Sequence, residues 1–220
     1  SSNYAHVGPA NASLAITFEA GTGSAFNVSL SLQSVIKDSA VFDIYNNSTT
    51  FNDMDVHLNS QGNGLAVWTS PDNRDLIFQR FKNYVPVGSN VTQNIAPSGE
   101  TIDFPSIRVN DQNTAFVAYS YSDITDPNKR IEAMKITVTS AGTLSFDTPV
   151  TLADVTSKNM IRPNLSLDPD GNGMVIFEAD INGALPDIFG KKIIDFAPVG
   201  AVNTVTNFYF NATAKVWPRI

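Results

Sequence analysis

Between Asn11 and Asn47 the chain alternates apolar and polar residues in three runs: NASLAITFEAG (11–21), FNVSLSLQSV (26–35) and SAVFDIYNN (39–47). A period of two sends successive side chains to opposite faces of a strand, so each run predicts an antiparallel strand with one buried face. From Met54 the pattern changes to a compound unit. Its clearest form is Pro163 to Ile193, PNLSLDPDGNGMVIFEADINGALPDIFGKKI. The unit has a short alternating strand, an Asp/Gly/Asn turn, a continuous apolar strand ending in an aromatic, a polar loop and a third strand. Weaker copies read PSIRVNDQNTAFVAYSY (105–121) and MDVHLNSQGNGLAVWTS (54–70). Third strands are expected at LIFQRF (76–81) and RIEAMKITV (130–138), and outer strands within VPVGSNVTQN (85–94), LSFDTPVTL (144–152) and GAVNTVTNF (200–208). Residues 1–10 read as irregular. No segment sustains helical periodicity, so the expected class is all-β.

The copies recur every roughly 50–60 residues, a spacing that points to repeated sheets. The whole chain, 1–220, reads as one domain with repeats near 1–53 plus 216–220, 54–104, 105–162 and 163–215. The last assignment comes from VWPRI (216–220), which matches the start of a unit. Joined to the first residues it gives PRISSN, in line with PSIRVN (105–110), PNLSLD (163–168) and MDVHLN (54–59). The N-terminal runs then lack only a first strand. A β-propeller of about four four-stranded blades, closed by its N- and C-terminal strands, accounts for this pattern. Half of a larger ring, a segment of a longer propeller and a β-sandwich remain open alternatives.

The unit Pro-x-apolar-x-apolar-Asp/Asn, then Gly-Asn, then an apolar strand ending in an aromatic, resembles the repeats of bacterial extracellular β-propeller proteins. Gln79-Arg80-Phe81 or Lys191-Lys192-Ile193, followed by Val87-Gly88 or Val199-Gly200, adds to the resemblance. It covers most of the chain and implies an architecture, not an activity. Integrin-like calcium loops are distantly similar to DPDGNG (168–173). Hemopexin-like four-blade repeats are also a distant match, and their terminal disulfide is ruled out here, because the chain has no cysteine.

Composition narrows the function classes. Hydrophobic residues make up 42% of the 220 positions, enough for a packed core, while charged residues make up only 16%. A low-charge surface rich in Ser, Thr and Asn suits an extracellular, periplasmic or cell-surface protein. The net charge of −7 argues against nucleic acid or anionic lipid as the main partner. Without cysteine there is no thiolate zinc site and no cysteine nucleophile. No apolar run is long enough to span a membrane. No leader stands at Ser1, as expected of a mature, shortened or non-exported chain. Sequons at Asn11, Asn27, Asn46, Asn47, Asn90, Asn164 and Asn211 are acceptors for glycosylation, though so Asn-rich a chain also forms them by chance.

Asp168, Asp170 and Asn172 put oxygen ligands at alternate positions around a glycine turn, as one Ca²⁺ would require. The other reading is a plain turn whose side chains bond the local backbone; the equivalent turns carry amides, and no cofactor at all is the companion expectation. Phe18, Trp68, Tyr119 and Phe177 end equivalent strands, and their regular recurrence favours core packing over sugar stacking. In propellers of this strand order, one face is built by the entries to first strands and by the loops joining second to third strands. That resemblance would gather Asp53, Asp103, Phe104, Arg162 and Trp217 around one opening, with Asp72, Arg74, Tyr121, Asp123, Asp126 and Asp187 on adjoining loops. Among these, Asp53, Asp103, Phe104, Arg162, Trp217, Tyr121 and Asp187 are the expected ligand-binding residues, against the alternative of a solvated rim. His6 and His57 have no metal spacing, and His57 reads as structural. No catalytic motif is present, so no catalytic residue is assigned. The expected function is an exported, non-enzymatic binding or scaffold propeller for a carbohydrate or protein ligand. A propeller glycoside hydrolase using Asp53 with Asp103 is one alternative. Another is a structural subunit joined to its neighbours by strand exchange, making the protein a monomer or a homo-oligomer through its terminal blade.

Overall fold

The computed structural model describes residues 3–5, 12–20, 26–34, 41–47, 52–125, 128–154, 159–180 and 187–204. They form four antiparallel sheets; the first, second and fourth are simple up-and-down successions, and the third runs in chain order with its last two strands both paired to the same neighbour. The first sheet holds β1 (Asn3–Ala5), β2 (Ala12–Ala20), β3 (Phe26–Ser34) and β4 (Val41–Asn47). The second holds β5 (Asn52–Leu58), β6 (Gly64–Thr69), β7 (Asp75–Lys82) and β8 (Val85–Asn94). The third holds β9 (Thr101–Val109), β10 (Thr114–Ser122), β11 (Arg130–Val138), β12 (Leu144–Phe146) and β13 (Val150–Ala153). The fourth holds β14 (Asn159–Leu167), β15 (Gly173–Asp180), β16 (Asp187–Ile194) and β17 (Ala197–Thr204).

Side-chain alternation stacks the sheets. On β10, Ala115, Val117 and Tyr119 enter a core shared with Leu65, Val67 and Phe78 of the second sheet. The intervening Phe116 and Ala118 enter a second core with Val175, Phe177 and Phe189 of the fourth sheet. The third sheet is therefore covered on both faces, so among the described residues the stack has three layers where a two-sheet sandwich has two. Trp68, Tyr119 and Phe177 are almost fully buried, as core packing of these strand ends requires. Phe18 lies on β2, where only the backbone is described.

The repeat extends to the turns. Asn59 Oδ1 accepts the N–H groups of Gln61 and Asn63 at 3.0 and 2.9 Å. Asn110 Oδ1 does the same for Gln112 and Thr114 at 3.0 and 2.8 Å. The hairpins β7–β8 and β16–β17 turn on Asn83-Tyr84 and Asp195-Phe196, all four in the left-handed region as a type I′ turn demands. Each turn lays its aromatic ring on a glycine of the first hairpin. A Cβ on Gly62 would stand 2.4 Å from the Tyr84 ring, and one on Gly171 would stand 2.3 Å from Phe196.

The inner strands β5, β9 and β14 lie side by side. They are joined by side chains. Ile107 N–H donates to Asp55 Oδ2 (2.9 Å) and Val109 N–H donates to His57 Nδ1 (3.1 Å). Two steps along β5 match two steps along β9, so the strands run parallel. One sheet further on, Leu165 N–H donates to Ser106 Oγ (3.2 Å). Edge N–H groups that would otherwise stay unpaired are thereby satisfied. The turns are linked too: Asn59 Nδ2 donates to Asn110 O (3.1 Å) and Asn110 Nδ2 to Pro169 O (2.8 Å).

The structure differs from the sequence reading in four places. Asn3–Ala5 is a strand, not irregular chain. β9 and β14 begin four residues before Pro105 and Pro163, which sit inside their strands. The run 144–152 splits into β12 and β13, each pairing a different stretch of β11. The last outer strand begins at Ala197, three residues before the expected Gly200. The segment 216–220, on which ring closure rests, lies outside the described residues.

Candidate ligand face

Each inner strand is broken at one equivalent place. The pairing of β5 with β6 skips between Asn52 and Met54, that of β9 with β10 between Asp103 and Ser106, and that of β14 with β15 between Ile161 and Asn164. The residues at the breaks are left-handed: Asp53 (φ 29°), Phe104 (φ 54°) and Arg162 (φ 56°). A bulge of this kind turns a side chain off the sheet, and non-glycine residues at positive φ are uncommon enough to mark function or constraint. Proline after Phe104 and Arg162 has no N–H to offer, which suits a position where the ladder is interrupted.

The bulges meet. Phe104 N–H donates to Asp53 Oδ2 at 3.2 Å, and the Arg162 guanidinium stands 5.3 Å from the Phe104 ring centre. Lys129 Nζ lies 5.8 Å from the same ring and pairs with Asp103. Asp103 also accepts Asn73 Nδ2 at 2.9 Å, and Arg162 Nη1 pairs with nearly buried Glu178 at 2.9 Å. The loops feeding this region are stapled to the inner strand of the next sheet, by Ile102 N–H to Asn73 O (2.6 Å) and Met160 N–H to Lys129 O (2.9 Å). The Asp53 carboxyl is raised above the usual range. Partial desolvation is the main cause and the Asp103 charge adds to it, against the Phe104 N–H, Arg162 and Lys129.

Four of the expected ligand residues, Asp53, Asp103, Phe104 and Arg162, are thus drawn into one contiguous group. Lys129 and Glu178 belong to it too and were not singled out in the sequence. Tyr121 joins a neighbouring group, nearly buried at the end of β10 with Arg130 4.2 Å from its ring centre. Arg130 also pairs with Glu132 (2.8 Å) and Asp123 (3.7 Å). Glu132 accepts the Tyr119 hydroxyl (3.3 Å), and burial with that carboxylate pushes the Tyr119 pKa up. Asp187 opens β16 and is exposed. Trp217 and Asp126 lie outside the described residues.

The Asp168 turn repeats the geometry of the Asn59 and Asn110 turns. Asp168 Oδ1 accepts Asn172 N–H (2.8 Å) and Oδ2 accepts Asn172 Nδ2 (3.3 Å), while Asn172 Oδ1 accepts Asp195 N–H (3.1 Å). Both Asp168 oxygens and the Asn172 oxygen are engaged by the protein. Among the described residues, no group of three His, Cys, Asp or Glu side chains is placed to hold a metal ion. His57 accepts from Val109, and burial together with Arg108 lowers its pKa to about 4.

No helix among the described residues is long and apolar enough to cross a membrane. No protein-family model matches the chain, and no curated protein matches its sequence. Among solved structures, an endo-arabinase from Bacteroides thetaiotaomicron superposes with a TM-score of 0.52 over 94% of this chain and 75% of that one, at 14% identity. A DUF4623 family protein from Bacteroides eggerthii gives 0.37 over 82% of this chain and 40% of that one, at 9% identity. The endo-arabinase is β-propeller-like, and at this identity the likeness speaks for the fold alone.

Proposed function

We propose that the chain is a ring of four blades whose bulged face binds a carbohydrate, and that the protein is an exported binding module and not a catalyst. The observation that carries this reading is the convergence of Asp53, Phe104 and Arg162 from equivalent bulges of three successive inner strands. By sequence, Trp217 holds the same position before its proline in the remaining repeat. A face carrying the Phe104 ring, a carboxylate and a guanidinium offers stacking to a sugar face and hydrogen bonds to its hydroxyls. The charges inside it are largely matched by one another, which favours a neutral polar ligand over an ionic one. Likeness to a carbohydrate-acting protein is consistent with this choice. Export is supported by the cysteine-free, low-charge composition.

The test is a glycan array read with the unchanged chain and with Phe104→Asn. Asparagine tolerates the left-handed backbone at this position, so the ring is removed while the bulge is kept. Binding to a glycan class that disappears in the variant, with unfolding unchanged, supports the proposal. Absence of binding across the array overturns it. Small-angle scattering separately tests the ring, since a closed disc and an open arc of blades differ in profile.

A glycoside hydrolase is the second reading, favoured by the presence of two carboxyl groups, Asp53 and Asp103, in the one group of bulged residues, with partial desolvation and then the Asp103 charge raising the Asp53 carboxyl. Release of reducing ends from arabinan or another polysaccharide, abolished by Asp53→Asn, would replace the binding reading with this one.

A further inference from the structure

Asp103 stands where the β9 ladder breaks, yet its carboxylate is turned to the protein. Oδ1 accepts Asn73 Nδ2 at 2.9 Å, Oδ2 pairs with Lys129 Nζ, and 14% of the Asp103 side chain is exposed. The two donors come from different loops: Asn73 lies between β6 and β7, and Lys129 leads into β11. Each loop also grips the next inner strand. Asn73 O accepts Ile102 N–H (2.6 Å), Lys129 O accepts Met160 N–H (2.9 Å), and Lys129 N–H donates to Asn159 Oδ1 (3.3 Å). Ile102 and Met160 stand two residues before Phe104 and Arg162, so the loops that place both bulges are tied through one carboxylate. Lys129 Nζ is in turn 5.8 Å from the Phe104 ring centre, and 23% of its side chain is exposed.

We propose that Lys129 contacts the ligand of the bulged face, donating to a hydroxyl or ring oxygen of a neutral sugar beside Phe104, and that Asp103 is the residue that positions it. The proposal rests on the carbohydrate reading given above. An ammonium carries three N–H donors, and one carboxylate oxygen takes one of them. A lysine left loose on its four-carbon stem loses rotamer freedom when a ligand fixes it, whereas one already held by Asp103 has little left to lose. The pair is neutral as a unit, which suits an uncharged ligand. In the sequence Asp103 reads as a ligand-binding residue; in the fold both its oxygens are engaged, and it acts through Lys129.

The test titrates neutral pentose and hexose oligosaccharides into the full chain by calorimetry, beside Lys129→Met, Asp103→Asn and the double variant. Lys129→Met keeps the stem and removes the donor, and should weaken binding about tenfold. Asp103→Asn keeps the shape and removes the ion pair, and should weaken binding about three- to tenfold. The double variant should bind no worse than Lys129→Met alone, because Asp103 acts only through that side chain. A second arm needs no sugar: the Lys129 ammonium should give a resolved nitrogen–proton resonance in the unchanged chain and lose it in Asp103→Asn. Unchanged affinity in Lys129→Met, additive losses in the double variant, or an ammonium resonance that survives Asp103→Asn each overturns the proposal. So does a lowered urea midpoint with the affinity of the folded chain unaltered, the mark of a purely structural pair. Binding lost in Phe104→Asn but kept in Lys129→Met removes the Lys129 contact alone. An unchanged chain that binds none of the oligosaccharides removes the carbohydrate reading and the contact with it.

Discussion

Replacing Asp55 by alanine tests how the inner strands are held. Asp55 Oδ2 accepts Ile107 N–H (2.9 Å), Ser106 Oγ (3.3 Å) and Arg108 Nη1 (3.3 Å). Ile107 is completely buried, so its N–H gains no water when the carboxylate is removed. One orphaned buried donor costs about 1–3 kcal/mol, and losing the charge-assisted contact to half-exposed Arg108 adds about 0.5–1 kcal/mol. Asp55→Ala should therefore destabilise by about 2–4 kcal/mol. Asp55→Asn keeps an acceptor oxygen for Ile107 and should cost about 1 kcal/mol. Urea unfolding followed by circular dichroism supplies both values, with Asp111→Ala as the exposed control expected within about 0.5 kcal/mol of the unchanged chain. An alanine variant as stable as the control, or an asparagine variant as weak as the alanine one, would refute the view that an acceptor at this position ties β9 to β5.

Two further outcomes follow from individual side chains. The His57 pKa is lowered from 6.5 to about 4, so between these values the unfolded chain binds a proton that the folded chain does not. Stability should then fall as pH drops from 6.5 to about 4, by about 1–3 kcal/mol given partial exposure, and His57→Gln should flatten that part of the pH profile. Because the Asp168 and Asn172 oxygens are taken up within their turn, millimolar Ca²⁺ should leave the melting temperature unchanged, and a rise of several degrees in differential scanning calorimetry would show that the turn reopens around the ion.

Strand identity was legible because strands such as β10, β11 and β14 bury one face or both, and period two survives in sequence. The outer strand 85–94 and the third strand 130–138 are found where alternation puts them. Starts of the inner strands were not legible. Pro105 and Pro163 look like boundaries, yet each follows a bulge where the ladder needs no N–H, so proline is accommodated inside the strand. The same device hid part of the site. Asp53, Phe104 and Arg162 could be grouped because they precede Met54, Pro105 and Pro163 in matching units. Lys129 and Glu178 could not, since one lies on a loop of variable length and the other within a strand. Their roles come from salt bridges whose partners lie 26 and 16 residues away.

The two kinds of inter-sheet contact have different consequences. Interleaved apolar faces hold the sheets together, but an aliphatic face accepts several offsets of its neighbour at similar energy. The bonds from Asp55, His57 and Ser106 accept one offset each, because a directional acceptor must meet a particular N–H. That offset puts the bulge of each inner strand at the height of the next, and so brings the Asp53 carboxylate within 3.2 Å of the Phe104 amide. Register polarity and the geometry of the bulged face are then a single property. If the bulged face binds as proposed, loss of the Asp55 acceptor should disturb binding at Phe104 even in chains that remain folded, whereas trimming a fully buried apolar group such as Val67 should lower stability and leave binding unaltered.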